Sequence, residues 1–253
     1  SAILMAPKGL LFSVYDCQIN KPKDRGITSH GEGCQGMIID RNNFESAESA
    51  IPTQDRKSLC FNSNKNDVKV RNHLFNGDDI QQGVRLGGLI LTKASPVTTI
   101  TGNYIDNNFI EWTNEHDASP SVSGYSFSAL TITANIFLCT NAQSSFRCIV
   151  IKPFGPGHYI NGLNVSGNMF RTYGGTVDRI ETVDTTYADL DFSRMQNIDF
   201  HGNTFHGFSI ETRNPMFEVH TEFSVDQVWT VDTAGKLPFG GRARAIDQLV
   251  PLY

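Results

Sequence analysis

Residues 109–120 read FIEWTNEHDASP. Glu111, Glu115 and Asp117 supply three carboxylates, His116 an imidazole and Trp112 an indole, all between positions 111 and 117. Groups of these types can move protons, and three reactions fit once residues elsewhere in the chain are added. In a β-elimination, a base removes the proton beside a uronate carboxylate while cations or a metal stabilise the enolate; Lys152, Arg147 and His116 suit those parts. In glycoside hydrolysis, two carboxylates flank the scissile bond, and Glu111 with Asp117 or Asp79 is the candidate pair. Epimerisation needs an acid and a base on opposite faces of one sugar, which His116 and His158 could supply. In the β-elimination reading, Asp78, Asp79 and Glu111 could hold a Ca²⁺ ion, which prefers several oxygen ligands.

These residues are far apart in sequence, so something must bring them together. An eight-residue pattern recurs: apolar, polar, apolar, polar, small or polar, Asn, any, apolar. It reads MIIDRNNF from 37, VKVRNHLF from 68, TTITGNYI from 98, LTITANIF from 130, LNVSGNMF from 163 and IDFHGNTF from 198. The starts step by 31, 30, 32, 33 and 35 residues. Near-even steps of this size mark stacked structural repeats. The first three residues alternate as a half-buried strand does, and the small residue with Asn makes a turn that needs relaxed φ. Copies stacked about 4.8 Å apart would align Asn42, Asn103, Asn135, Asn168 and Asn203 in an amide ladder. His73 takes that place once, and Phe44, Phe75, Phe137, Phe170 and Phe205 would stack inside in the same way.

A second strand fits in each repeat, aligned on an apolar anchor: LILTK from Leu89, IEWTN from Ile110, IVIKP from Ile149, IETVD from Ile180 and IETRN from Ile210. First and third positions then point inward, which makes Trp112 a core residue stacked with Leu91 and Ile151. Second and fourth positions point outward, so Glu111 and Lys152 lie on adjacent repeats at a diagonal of about 7–8 Å. Loops follow these strands. Glu115, His116 and Asp117 project from one, His158 and Tyr159 from the next, and Asp78, Asp79 and Arg85 precede the strand before. The predicted site is therefore Glu111, His116, Asp117, Lys152 and Arg147 for chemistry, with Asp78, Asp79, Arg85, Glu115, His158 and Tyr159 for substrate binding. Asp184, Asp189 and Asp191 read as turn residues, and His201 and His206 as structural flanks of the Asn203 turn.

The Gly-Asn-x-Phe turn after an alternating strand, repeated in register over roughly 35–215, resembles the right-handed parallel β-helix proteins of the pectate-lyase-like superfamily. The resemblance implies an all-β fold, a right-handed parallel β-helix (solenoid) of about six to seven coils. It spans 1–215 and is followed by a C-terminal β cap over 216–253, where VWTVDTAGKLPFGGRARAIDQLV reads as two or three strands with turns at TAGK and FGG. The apolar start SAILMAPKGLLF suggests a helix continuing from a longer parent chain. The superfamily spans polysaccharide lyases, glycoside hydrolases, epimerases, phage tailspikes and adhesins. The implied function is a lyase or hydrolase acting on a polysaccharide along the charged face. The alternative is a non-enzymatic glycan-binding or structural module. The enzyme would be a monomer and the spike a homotrimer, in an extracellular, cell-surface or virion setting.

Composition narrows the alternatives. The 253 residues include 22 Gly, which suits a turn-rich β protein, and 17 Phe spread along the chain, which argues against disorder. Net charge is −5 with no basic run, so nucleic acid is not an expected partner. No apolar run reaches membrane-spanning length. The five cysteines (Cys17, Cys34, Cys60, Cys139 and Cys148) form no CxxC or Cys/His metal spacing and read as small buried hydrophobes. No nucleophile elbow, P-loop, HExxH or dinucleotide-binding glycine signature is present.

Overall fold

The computed structural model describes residues 3–5, 13–20, 25–29, 38–45, 57–61, 68–71, 74–76, 87–91, 98–114, 124, 126–221, 223, 225 and 227–248. The fold is all-β: its strands form three parallel sheets, and among the described residues the only helical pieces are two 3₁₀ turns, Phe192–Arg194 and Pro238–Gly240. Each round of the chain adds one strand to each sheet, except that one round adds both Ser126–Phe127 and Leu130–Thr133 to the second. The first sheet runs from Ile3–Met5 through Ile110–Thr113 and Ile149–Lys152 to Glu181–Val183. The second runs from Ser13–Tyr15 through Thr98–Thr101, Leu130–Thr133 and Tyr159–Ser166 to Gln196–His201. The third runs from Gln18–Asn20 through Ile136–Thr140 and Met169–Tyr173 to Thr204–His206.

The alternating half of the repeat forms the second sheet, and the residues after the Asn form the third. That third strand went unseen in the sequence, where its closing Phe or Ile looked like a single residue dropping inward. Ile39, Ile100, Ile132, Val165 and Phe200 project into the core from the second sheet. Phe44, Phe75, Ile105, Phe137, Phe170 and Phe205 share one register column of the third. Phe137 and Phe170 stack with centroids 4.8 Å apart, and Phe170 and Phe205 with centroids 5.6 Å apart. Trp112 is buried in register with Leu91 and Ile151, as its inward position requires. Cys139 and Cys148 are buried with Sγ atoms 4.0 Å apart and unbonded.

The turn between the second and third sheets has one geometry throughout. The residue before the Asn is left-handed in every described case: Arg41, Gly102, Ala134, Gly167 and Gly202 have φ of 53°, 69°, 55°, 64° and 62°. Glycine takes that conformation without a Cβ penalty, which explains its frequency there. The Asn after it is buried in all but the last round, where Asn203 is half-buried, and Asn135 and Asn168 bond to the Asn on either side. Asn103 Nδ2 donates to Asn135 Oδ1 at 2.8 Å, Asn135 Nδ2 to Asn168 Oδ1 at 2.9 Å, and Asn168 Nδ2 to Asn203 Oδ1 at 3.0 Å. Each Nδ2 also donates back to a carbonyl of the preceding round: Asn135 to Ile100, Asn168 to Ile132, Asn203 to Val165. Above Asn42 the column holds Cys17, whose backbone N–H donates to Asn42 Oδ1 at 2.9 Å. FSVYDCQI is thus a further copy with Cys in the Asn place.

The far end departs from the expected β cap. Among the described residues of 216–253 there is no strand, although the TAGK turn forms through a bond from Lys236 N to Thr233 O. What caps the last round is a short piece around Pro238–Gly240. Leu237 is buried and Phe239 packs edge-on against Phe200.

Candidate functional site

The loops that join the first sheet to the second come after Thr113, Lys152 and Val183, stacked in that order. Glu111 sits outward on Ile110–Thr113 opposite Val150, and Lys152 is opposite Thr113, which confirms the diagonal between them. Lys152 Nζ lies 3.3 Å from Asp184 Oδ2 on the following round. Burial alone would lower the Lys152 pKa, but Asp184 and then Glu111 outweigh it and raise it. Burial would raise Asp184, yet its hydrogen bonds from Thr186 and the Lys152 charge hold it below the usual carboxylate range. The pair is thus locked as ammonium and carboxylate. Lys152 also lies over the Tyr187 ring, 5.3 Å from its centroid, and Tyr187 stacks on Phe154 at 4.2 Å. Tyr187 is 60% exposed, so this aromatic pair is open to solvent. Val150, between Glu111 and Thr182 in register, is itself buried. The accessible part of the face therefore lies toward the loop end of the strands.

Sequence reading missed Asp184 and Tyr187 for one reason. Aligning IETVD on Ile180 is off by a residue: Glu181, not Ile180, pairs with Ile149, and Val183 pairs with Ile151. Cys148 N and Ile149 N both donate to Ile180 O, so Ile180 and Glu181 are both buried here. A one-residue slip sends every side chain to the other face. Glu181, predicted outward, points in, while Asp184 comes level with Lys152. Aligning on Val183 and Ile151 would have revealed the pair.

The remaining predicted residues separate. Arg147 lies at the opposite end of its strand from Lys152, about 16 Å away along extended chain, bonded to the Ser144 and Phe146 carbonyls and 3.5 Å from Asp178. It is not part of the cluster. His158, expected on a projecting loop, is fully buried. Asn114 Oδ1 accepts from Phe154 N at 2.7 Å, which orients the amide so that its Nδ2 donates to His158 Nε2 at 3.0 Å. His158 O accepts from Asp191 N at 2.6 Å. His158 thus ties three successive loops together, its imidazole to Asn114 and its backbone carbonyl to Asp191, and its fully buried ring is not placed to meet substrate. Tyr159 is half-buried beneath the Arg194 guanidinium, 3.9 Å from its ring centroid. Asp78, Asp79, Arg85, Glu115, His116 and Asp117 lie outside the described residues. Among the described residues no three His, Cys, Asp or Glu side chains converge as a metal site.

A second recess of about 420 Å³ opens on the second sheet, lined by Thr131, Asn164, Asn197 and Asp199 among others. Asp199 binds His201 Nδ1 at 2.8 Å beside it. No helix among the described residues is long and apolar enough to cross a membrane. Comparisons with protein-family models, with curated proteins and with solved structures find no match.

Proposed function

We propose that the chain is a right-handed parallel β-helix of the pectate-lyase-like kind that binds a polysaccharide across the loop end of its first sheet. Two features support the winding. Each sheet gathers its strands round by round along the chain, and crossovers between parallel strands of one sheet are right-handed in about 98% of cases. One observation carries the binding reading: the exposed Tyr187 stacked on Phe154, with Lys152 over its ring and Asp184 and Glu111 on either side. An open aromatic face takes the apolar face of a sugar ring, and fixed charges beside it hydrogen-bond its hydroxyls.

The ionisation pattern favours recognition over proton transfer. A lyase base must give up its proton, and both neighbours of Lys152 oppose that. A second reading, glycoside hydrolysis, draws on the two carboxylates flanking Lys152, with the ionised Asp184 as base or nucleophile and Glu111 as its partner.

The test is affinity electrophoresis of the protein through gels holding acidic and neutral polysaccharides, with reducing ends and unsaturated uronates followed in parallel. We expect retardation by at least one polymer, reduced tenfold or more in Tyr187→Ala. Retardation unchanged in both Tyr187→Ala and Lys152→Ala would remove this face from consideration. Reducing ends lost in Asp184→Asn would establish the hydrolase.

A further inference from the structure

Downstream of the last round, residues 217–231 read FEVHTEFSVDQVWTV, with Phe217, Val219, Phe223, Val225, Trp229 and Val231 falling on alternate positions. Period-two alternation is the signature of a strand with one buried face. The structure leaves that face in solvent. Phe217 is 79% exposed and Trp229 56%, and Val219, Val225 and Val231 are exposed as well. No strand is formed by the described residues of this stretch, and no backbone hydrogen bond between described residues involves 216–219 or 227–231. Isolated exposed apolar residues need no explanation, but a run of them in one segment, most on alternate positions with the exposed Val228 between, does.

Two observations identify what covers it. The first is charge. Between 214 and 235 the chain has four acids (Glu218, Glu222, Asp226, Asp232) and no Lys or Arg, whereas Lys236, Arg242 and Arg244 follow directly. Lys236 Nζ already meets Glu218 at 3.0 Å within one chain. The basic stretch of a second chain would bring three cations against this acidic stretch. The second is area. Five large apolar side chains, two of them aromatic, offer about 500–700 Å², close to the roughly 800 Å² per partner of a stable interface once paired backbone is added.

We infer that residues 217–231 are an intersubunit strand that pairs with a second copy of this chain. Each copy supplies an alternating apolar face with an acidic edge and receives the other's Lys236–Arg244 stretch. This does not depend on the polysaccharide reading, because the segment is separate from Lys152 and Tyr187.

Sedimentation equilibrium on the full chain tests it. Wild type is expected to be a dimer or higher closed oligomer, and Val225→Glu with Trp229→Ser to raise the dissociation constant at least tenfold while leaving the circular dichroism spectrum unchanged. Arg242→Glu with Arg244→Glu should weaken association as well, more at low salt than at high salt. The outward side of the third sheet, where Ile136, Met169 and Tyr173 are exposed, is the control surface. Ile136→Ser with Met169→Ser should leave the oligomer intact. A wild-type monomer at the highest soluble concentration would overturn the inference. So would an oligomer that survives the Val225/Trp229 change, or one that only the Ile136/Met169 change dissolves.

Discussion

At the corner between the second and third sheets, the rounds from Asn103 to Asn203 repeat one chemistry: a left-handed residue, then an Asn bonded to the next in the column. At the corner between the first and second sheets, neighbouring rounds share almost nothing. One presents Asn114, the next Lys152 and Phe154, the next Asp184 and Tyr187. Both corners are made of backbone leaving one parallel sheet for another, so the contrast lies in what is asked of them. Repetition satisfies every amide in line and contributes to stability. Departure from the repeat places different side chains side by side, and Lys152, Asp184 and Tyr187 among them reach solvent, where they can meet a ligand. The comparison predicts that damage at the first corner unfolds the protein and damage at the second alters binding alone.

The largest effect should come from the ladder. Asn168→Ala would remove four hydrogen bonds at once: it takes the side-chain acceptor from Asn135 N, one of two bonds each from Asn135 Nδ2 and Asn203 Oδ1, and the Nδ2 donor from the Ile132 carbonyl. At roughly 1 kcal/mol for each hydrogen bond lost, and more for a buried group left unpaired, the loss should be about 5 kcal/mol. Urea denaturation measures it, and a loss under about 1 kcal/mol would mean that water readily replaces the rungs.

Next in size is the buried carboxylate at the last round. Glu181 Oε1 accepts from Arg179 Nε at 2.8 Å and Phe239 N at 2.9 Å, and Oε2 accepts from the Thr212 hydroxyl at 2.7 Å. It joins the final first-sheet strand to the capping piece. Glu181→Ala should cost about 3 kcal/mol, because it strands a partly buried cation and two donors. Burial raises the Glu181 pKa despite Arg179 and its hydrogen bonds. The folded state therefore holds the proton more tightly than the unfolded state does. Stability from this group is greatest below about pH 4.5 and falls as pH rises through the folded value. Glu181→Gln should flatten that slope, which thermal melts across mild acid pH would show.

How far the sequence can be read follows the same division. The ladder and the inward place of Trp112 were legible because they recur, and a period averages out single exceptions. The loop corner was legible only in part. Glu111 and Lys152 emerged from alternation, but Asp184 did not, because register was anchored on Ile180 and an apolar anchor cannot reveal that a Glu is buried beside it. The burial of His158 depends on Asn114, 44 residues away, and no local pattern encodes that bond. The tail shows the converse: 217–231 has the pattern of a strand, yet a strand also needs a partner, and alternation does not say which chain supplies it.

At the loop corner, Tyr187→Ala should change stability by less than about 0.5 kcal/mol, as exposed substitutions do, while polysaccharide binding falls tenfold or more. Equal losses in both would mean that the aromatic pair supports the fold and is not a separate binding surface.

The Lys152–Asp184 pair is partly open to solvent and should likewise contribute little to stability, at the low end of the ~0–1 kcal/mol range of exposed pairs. Its signs are opposite at the two ends of the pH scale. Asp184 is lowered, so its contribution is present above about pH 4 and lost as pH falls through the folded value. Lys152 is raised, so its contribution is present below about pH 10 and lost as pH rises through its folded value. Binding that depends on both charges should be level between those limits. Asp184→Asn leaves Lys152 with the Glu111 charge alone, so it should reduce affinity for a neutral polymer and increase it for an acidic one, since the ammonium is then available to a uronate. A titration of each polymer against wild type and Asp184→Asn distinguishes the cases: affinities moving in the same direction would mean that Asp184 only positions its loop and does not balance the charge of Lys152.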